Sequence, residues 1–200
     1  IGCGEGPQDA RAQDRRPGTQ RPEWNDANNA LSGKGLSVVT LCYLRRFVVF
    51  FQQLMSEYRA ASLEVTQEVK AAFDAMCEVL QRHKSALQSS FDDRQRRAVM
   101  DALGQAGNDY RQDFYQNGFS EAFTALDREE LLGFMELAQQ YIEHTLRENR
   151  RKDGLYHAYN VLQVDEGSAT VGHLYEMLEG QVAILSSGLL SGEESLALLR

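Results

Sequence analysis

The stretch from Leu36 to Met55 constrains this chain most, because it is the longest apolar run and two arginines interrupt it. Arg45 and Arg46 stand at its centre and divide it into two short apolar segments. A helix crossing a bilayer needs about 20 mostly apolar residues, and arginines at its centre cost several kcal/mol. The stretch is therefore expected to be a buried helix with no membrane partner. It is apolar around most of its circumference, whereas an outward-facing helix would show one stripe, so the pattern predicts a helix enclosed by others.

Further helical patterns follow it. From Leu63 to Leu87, the residues Val65, Val69, Phe73, Met76, Leu80 and Leu87 fall on one face. A third pattern begins near Asp92 and carries Val99, Leu103, Ala106, Tyr110 and Phe114, with Gly118 as a stop signal. Asp127 with Glu130 reads as a capping box, opening a stripe of Leu131, Phe134, Met135, Ala138, Tyr141, Ile142 and Leu146. A fifth helix is expected from Val171 to Ser187, ending before Gly188. Sustained period-two alternation is missing, so strands are expected at most as a short pairing near Asn160 to Val164. The predicted class is all-α: antiparallel helical hairpins over residues 23–200.

Residues 1–22 differ from this body. Gly, Pro, Arg, Gln and Asp dominate, and Ile1 is the one large aliphatic residue. Such a segment buries too little apolar surface to offset its ordering entropy, so it is expected to be poorly ordered and outside the core. At the other end, Ser191-Gly192-Glu193-Glu194 reads as a capping box before Leu196, Leu198 and Leu199. A helix starts there, and two turns are marginal alone. The expectation is a piece of a larger protein that exposes apolar surface and associates, with the remainder of the parent chain as a partner.

Charge and cysteine content narrow the function. The net charge of −8 disfavours nucleic acid and anionic membrane surfaces, which repel an acidic protein. The cysteines Cys3, Cys42 and Cys77 show neither a disulfide framework nor metal-ligand spacing, which favours a reducing, cytoplasmic compartment. His144 and His173 have no partner at metal-ligand spacing, so no metal is expected. Gly33-Lys34-Gly35 lacks the rest of a P-loop, and no cofactor is expected. Arg94, Arg96 and Arg97 read as a solvated helical face.

Two clusters carry chemistry. Trp24-Asn25-Asp26-Ala27-Asn28-Asn29 sets an indole beside a carboxylate and amides. An indole stacks on the apolar face of a pyranose, and amides hydrogen-bond its hydroxyls. A carboxyl beside an indole loses hydration, which raises its pKa toward general-acid use. The same residues also suit a plain loop, with Trp24 as anchor and Asp26 or Asn28 as helix cap. The second cluster, Arg150 to Asn160, holds an Asp153-Gly154 turn signal followed by Tyr156, His157, Tyr159 and Asn160. It suits a binding loop, or a structural loop whose Tyr and His tips satisfy buried backbone groups.

The run Trp24-Asn25-Asp26, then Asn29 and glycines before a helix, resembles the catalytic-acid loop of the cellobiose phosphorylase group, among the six-hairpin glycosidases. That resemblance implies a ring of inner and outer helices, here a partial (α/α)6 toroid. It implies Asp26 as general acid and Trp24 as part of the sugar-binding wall. Asn25, Asn29, Asp153, Tyr156, His157 and Tyr159 would complete the substrate site, with an oligosaccharide or glycoside as substrate. Hydrolysis would need a second carboxyl, and Asp153 is the one in the second cluster. Phosphorolysis would use inorganic phosphate as nucleophile, held by a group such as His157. The sequence leaves both routes open. The rival reading is a non-catalytic helical scaffold or protein-interaction domain.

Overall fold

The computed structural model describes residues 34–200. Five strands and six α-helices occur among these residues: β1 Gly35–Ser37, α1 Val38–Glu57, β2 Ser62–Thr66, α2 Gln67–Arg82, α3 Asp93–Asn117, β3 Phe123–Asp127, α4 Arg128–Glu148, β4 Tyr159–Asp165, β5 Ser168–His173, α5 Leu178–Ser186 and α6 Gly192–Leu198. A 3₁₀ turn, Lys84–Gln88, joins α2 to the segment before α3. The strands form two antiparallel sheets, one ordered β1-β4-β5 and the other β2-β3.

The expected all-α class is therefore wrong, and with it the reading of a partial helical toroid. The fold is mixed, with helices packed around two small antiparallel sheets. The strand pairing expected near Asn160 to Val164 is real, but it is the centre of a larger sheet. Val171 to His173, assigned above to a helix, pairs with β4 in the register Val171↔Leu162 and His173↔Asn160. Leu63 to Thr66, also assigned to a helix, pairs with β3 as Leu63↔Leu126 and Thr66↔Phe123.

A common local device explains why short strands sit inside apparent helix patterns. Ser37, Thr66 and Asp127 each end a strand and stand at the N-cap of the helix that follows. At an N-cap the backbone is still extended while the next residues turn helical, so strand and helix share a boundary with no loop. Ser37 Oγ accepts from Thr40 N–H at 3.0 Å, and Asp127 Oδ1 accepts from Glu129 and Glu130 N–H at 2.8 and 3.1 Å. The expected reciprocal bond from Glu130 is replaced by an approach to Lys70 at 3.5 Å. The box at Ser191 closes in both directions. Gly118 ends α3 with φ +72°, a left-handed conformation suited to glycine.

Two apolar clusters hold the body together. One joins Val38, Cys42 and Val48 of α1, Ile142 and Leu146 of α4, Tyr156, and Ala183 and Ile184 of α5. The other gathers Met55, Phe73, Leu126 and Leu131, where the Phe73 ring meets Phe134 edge-on at 5.1 Å. On α3, Arg96 donates to the Ala169 carbonyl at 2.6 Å and Arg97 to that of Asp165 at 2.5 Å. These arginines tether α3 to the β4–β5 hairpin, rather than forming the solvated face expected of them.

The arginine pair within α1 divides its labour. Arg45 turns inward, where Nη2 lies 2.6 Å from Glu143 of α4 and Nη1 donates to the Ser187 carbonyl at 2.7 Å. Arg46 turns outward, its guanidinium 5.9 Å from the centre of the Tyr43 ring. The helix is not enclosed as expected. Val38, Cys42, Val48 and Met55 are buried, but large apolar side chains on the other side are exposed.

Candidate functional site

Three features of the described residues bear on function: the loop between α4 and β4, the outer face of α1, and the groove beside it. The loop is shaped by its backbone. Asn149 closes α4, and the chain turns so that Arg151 N–H donates to Leu155 O at 2.8 Å, with Gly154 at φ +89°. The expected Asp153-Gly154 turn is present. Asp153 is bound by Arg151, Nη2 to Oδ2 at 2.7 Å, and accepts from Leu155 N–H at 3.1 Å. The Arg151 guanidinium hydrogen-bonded to it holds its carboxyl below the usual range, so it stays ionised and is unsuited to donating a proton near neutrality.

The aromatic residues of this loop serve packing first. Tyr156 is 2% exposed within the first apolar cluster, and Gln181 brackets its backbone with bonds of 2.9 and 2.8 Å. A ring so buried has no free face for a sugar, which removes Tyr156 from any open binding wall. Tyr159 is half-buried in β4, paired with Ser37. His157 lies parallel to His173, with ring centres 4.0 Å apart and planes 6° apart.

Behind the two imidazoles runs a chain of amides that sequence reasoning missed. His173 Nδ1 lies 2.8 Å from Asn160 Oδ1, and Asn160 Nδ2 donates to Asn149 Oδ1 at 2.7 Å. Asn149 Nδ2 donates in turn to the Thr145 carbonyl at 2.8 Å. Both asparagines are buried, so each amide bond offsets a desolvation cost. Only the strand register Asn160↔His173 brings these residues together, and no local spacing announces it.

His157 Nδ1 is buried and has no hydrogen-bond partner among the described residues. Burial, then the neighbouring His173 and Arg151, hold its pKa below the ordinary value. Its stabilising contribution is present above the unfolded value of about 6.5 and is lost as pH falls through the lower folded value. Unfolding free energy should therefore fall on acidification below about pH 6.5, and His157→Gln should flatten that decline. An unchanged slope in urea titrations of the variant across this range would contradict the assignment.

The outer face of α1 is a different kind of surface. Tyr43, Phe47, Phe50 and Leu54 are 51%, 54%, 61% and 46% exposed. Steps of four, three and four residues separate them, which aligns them on one side of a helix. That side is opposite Val38, Cys42, Val48 and Met55, so α1 carries a second apolar stripe that the described residues leave exposed. By length and composition α1 also suffices to cross a membrane. Along one margin an open groove of about 720 Å³ separates it from α4, lined by Val49, Gln52, Gln53, Leu132, Glu129 and Glu136 among others. The signal for two faces was present in the sequence. The large residues at four-three-four spacing form one set, and the smaller Val38, Cys42 and Val48 form the other.

Trp24, Asn25, Asp26 and Asn29, the residues of the expected catalytic-acid loop, lie outside the described residues. Lys34 opens the described chain, and its carbonyl accepts from Leu162 N–H at 2.7 Å. β1 then pairs with β4 as Leu36↔Asn160 and Ser37↔Tyr159. Among the described residues, no group of three or more His, Cys, Asp or Glu side chains is arranged to hold a metal ion. No protein-family model matches the chain, and no curated protein matches it significantly.

Proposed function

We propose that this chain is a helix-docking module, and that the outer face of α1 is the surface a protein partner covers. The observation that carries this reading is the stripe of Tyr43, Phe47, Phe50 and Leu54, each roughly half exposed or more. Isolated exposed apolar residues are ordinary, whereas a contiguous aromatic stripe marks an interaction surface. With Leu44 and Tyr58 on its margins, the stripe offers about 600 Å² of apolar area, given the usual size of aromatic side chains. Covering that area is worth on the order of 15 kcal/mol before association costs, which themselves run to about 4–15 kcal/mol. Its aligned spacing suits a helix laid along it.

The test is photo-crosslinking from position 50 in cells, with a benzophenone side chain in place of Phe50. A defined protein adduct supports the docking reading. Lipid adducts alone, or no adduct, contradict it.

A second reading, glycoside cleavage with Asp26 as general acid, has one specific support. The β1–β4 pairing runs the chain that follows Trp24–Asn29 past Tyr159 and Asn160, beside the His157–His173 pair. Asp153 and Tyr156 are engaged as described, so the reading rests on the motif Trp24, Asn25, Asp26 and Asn29, with His157 and Tyr159 as the remaining substrate-binding candidates. Trp24 is the single tryptophan, so its fluorescence reports on that loop alone. Titration with oligosaccharides, with and without inorganic phosphate, should shift it if a sugar binds. Normal glycoside-cleaving activity in an intact protein carrying Asp26→Asn would remove the general-acid role.

A further inference from the structure

We propose that the occupant of the α1 face is a second copy of this chain, its α1 running antiparallel to the first. The inference rests on the docking reading and adds the identity of the partner. Its basis is the symmetry of the stripe. The steps from Tyr43 to Phe47 to Phe50 to Leu54 are four, three and four, the same read in either direction about the midpoint between Val48 and Val49. A twofold axis through that midpoint sets Phe47 against Phe50 of the second copy and Tyr43 against its Leu54. Each surface is thus its own complement, as an isologous interface requires.

Charge along the margin agrees. A twofold axis perpendicular to both helices brings like margins together. Arg46 of one copy then falls beside Gln53 of the other, on the side where α4 presents Glu129 and Glu136 to the groove. Arg46 rests on the Tyr43 ring and joins no ion pair among the described residues, so its guanidinium is available to that acidic bank. The area agrees too. About 600 Å² of apolar stripe, extended by the groove margin, approaches the roughly 800 Å² that each member of a stable pair contributes.

The experiment is light scattering of the whole chain at micromolar concentration, with two complementary variants. The unaltered chain should have twice its single-chain mass. Phe47→Glu and Phe50→Lys should each weaken dimerisation by at least about thirtyfold, as loss of a central aromatic anchor does. Circular dichroism checks that each variant keeps its fold, since both side chains are already more than half exposed. An equimolar mixture should recover the dimer. The new carboxylate and the new ammonium meet across the seam, while the remaining Phe50 and Phe47 still pair. A parallel arrangement would give no such rescue.

A monomeric unaltered chain, a dimer indifferent to both substitutions, or a mixture that stays monomeric would each overturn the second-copy assignment. Crosslinking from position 50 separates this failure from that of the docking reading. An adduct of twice the chain mass is expected here. A protein adduct of another mass removes the second copy and leaves docking intact, and lipid adducts alone or none remove both.

Discussion

Replacing Leu146 by alanine should lower the unfolding free energy by about 3–5 kcal/mol, the upper range for a large-to-small change in a packed core. Leu146 is 0% exposed and lies in the cluster that joins α1, α4 and α5 to Tyr156. Those elements converge on it from separate parts of the chain, so the cavity left behind has little freedom to collapse. Urea unfolding should show a lower midpoint with the slope unchanged. A loss under about 1 kcal/mol would mean the site relaxes, or that this cluster does not hold the fold.

A smaller loss is expected from Asn160→Leu, by a different route. The side chain is 4% exposed, donates to Asn149 and faces His173 Nδ1. Leucine fills similar space but leaves the buried Asn149 carbonyl oxygen without its donor and His173 without its acceptor. The buried Asn149 oxygen left unsatisfied costs about 1–3 kcal/mol, whereas His173 is exposed and water replaces its acceptor, so a loss of roughly 1–3 kcal/mol is expected. A double-mutant cycle with Asn149→Ala should show strong coupling. Additive losses would dissolve the proposed amide chain.

These two sites mark what the sequence could and could not convey. Termini marked by a capping residue or glycine were legible, because capping is local chemistry: Asp92, Asp127 and Ser191 all cap helices, and Gly118 ends one, whereas α2 and α5 begin four and seven residues beyond the expected Leu63 and Val171. The stripes of α3 and α4 were legible for the same reason. The strands were not, apart from the pairing near Asn160. β2 and β3 have five residues each, too few for alternation to stand out, and each runs directly into a helix whose stripe absorbs it. Their pairing, Leu63↔Leu126, is a long-range fact with no local trace.

The candidate sites divide along the same line. Asp153-Gly154 announced its turn, but Tyr156 looked like a binding aromatic when its ring belongs to the core. The His157–His173 stack and the Asn160–Asn149 bond depend on sheet register, which composition does not encode. For α1, all-round apolarity was read as burial. It reflects two stripes, one buried against the described body and one exposed on its surface.

The docking proposal requires the outer stripe of α1 to be covered when the protein is in its working state. Hydroxyl-radical footprinting tests this most directly, with other exposed aromatics of the same chain as internal standards. Phe50 is 61% exposed and Phe123 62% in the isolated fold, so a free chain should oxidise them at similar rates. In cells, Phe47 and Phe50 should oxidise several-fold more slowly than Phe123. Equal rates at Phe50 and Phe123 would contradict it.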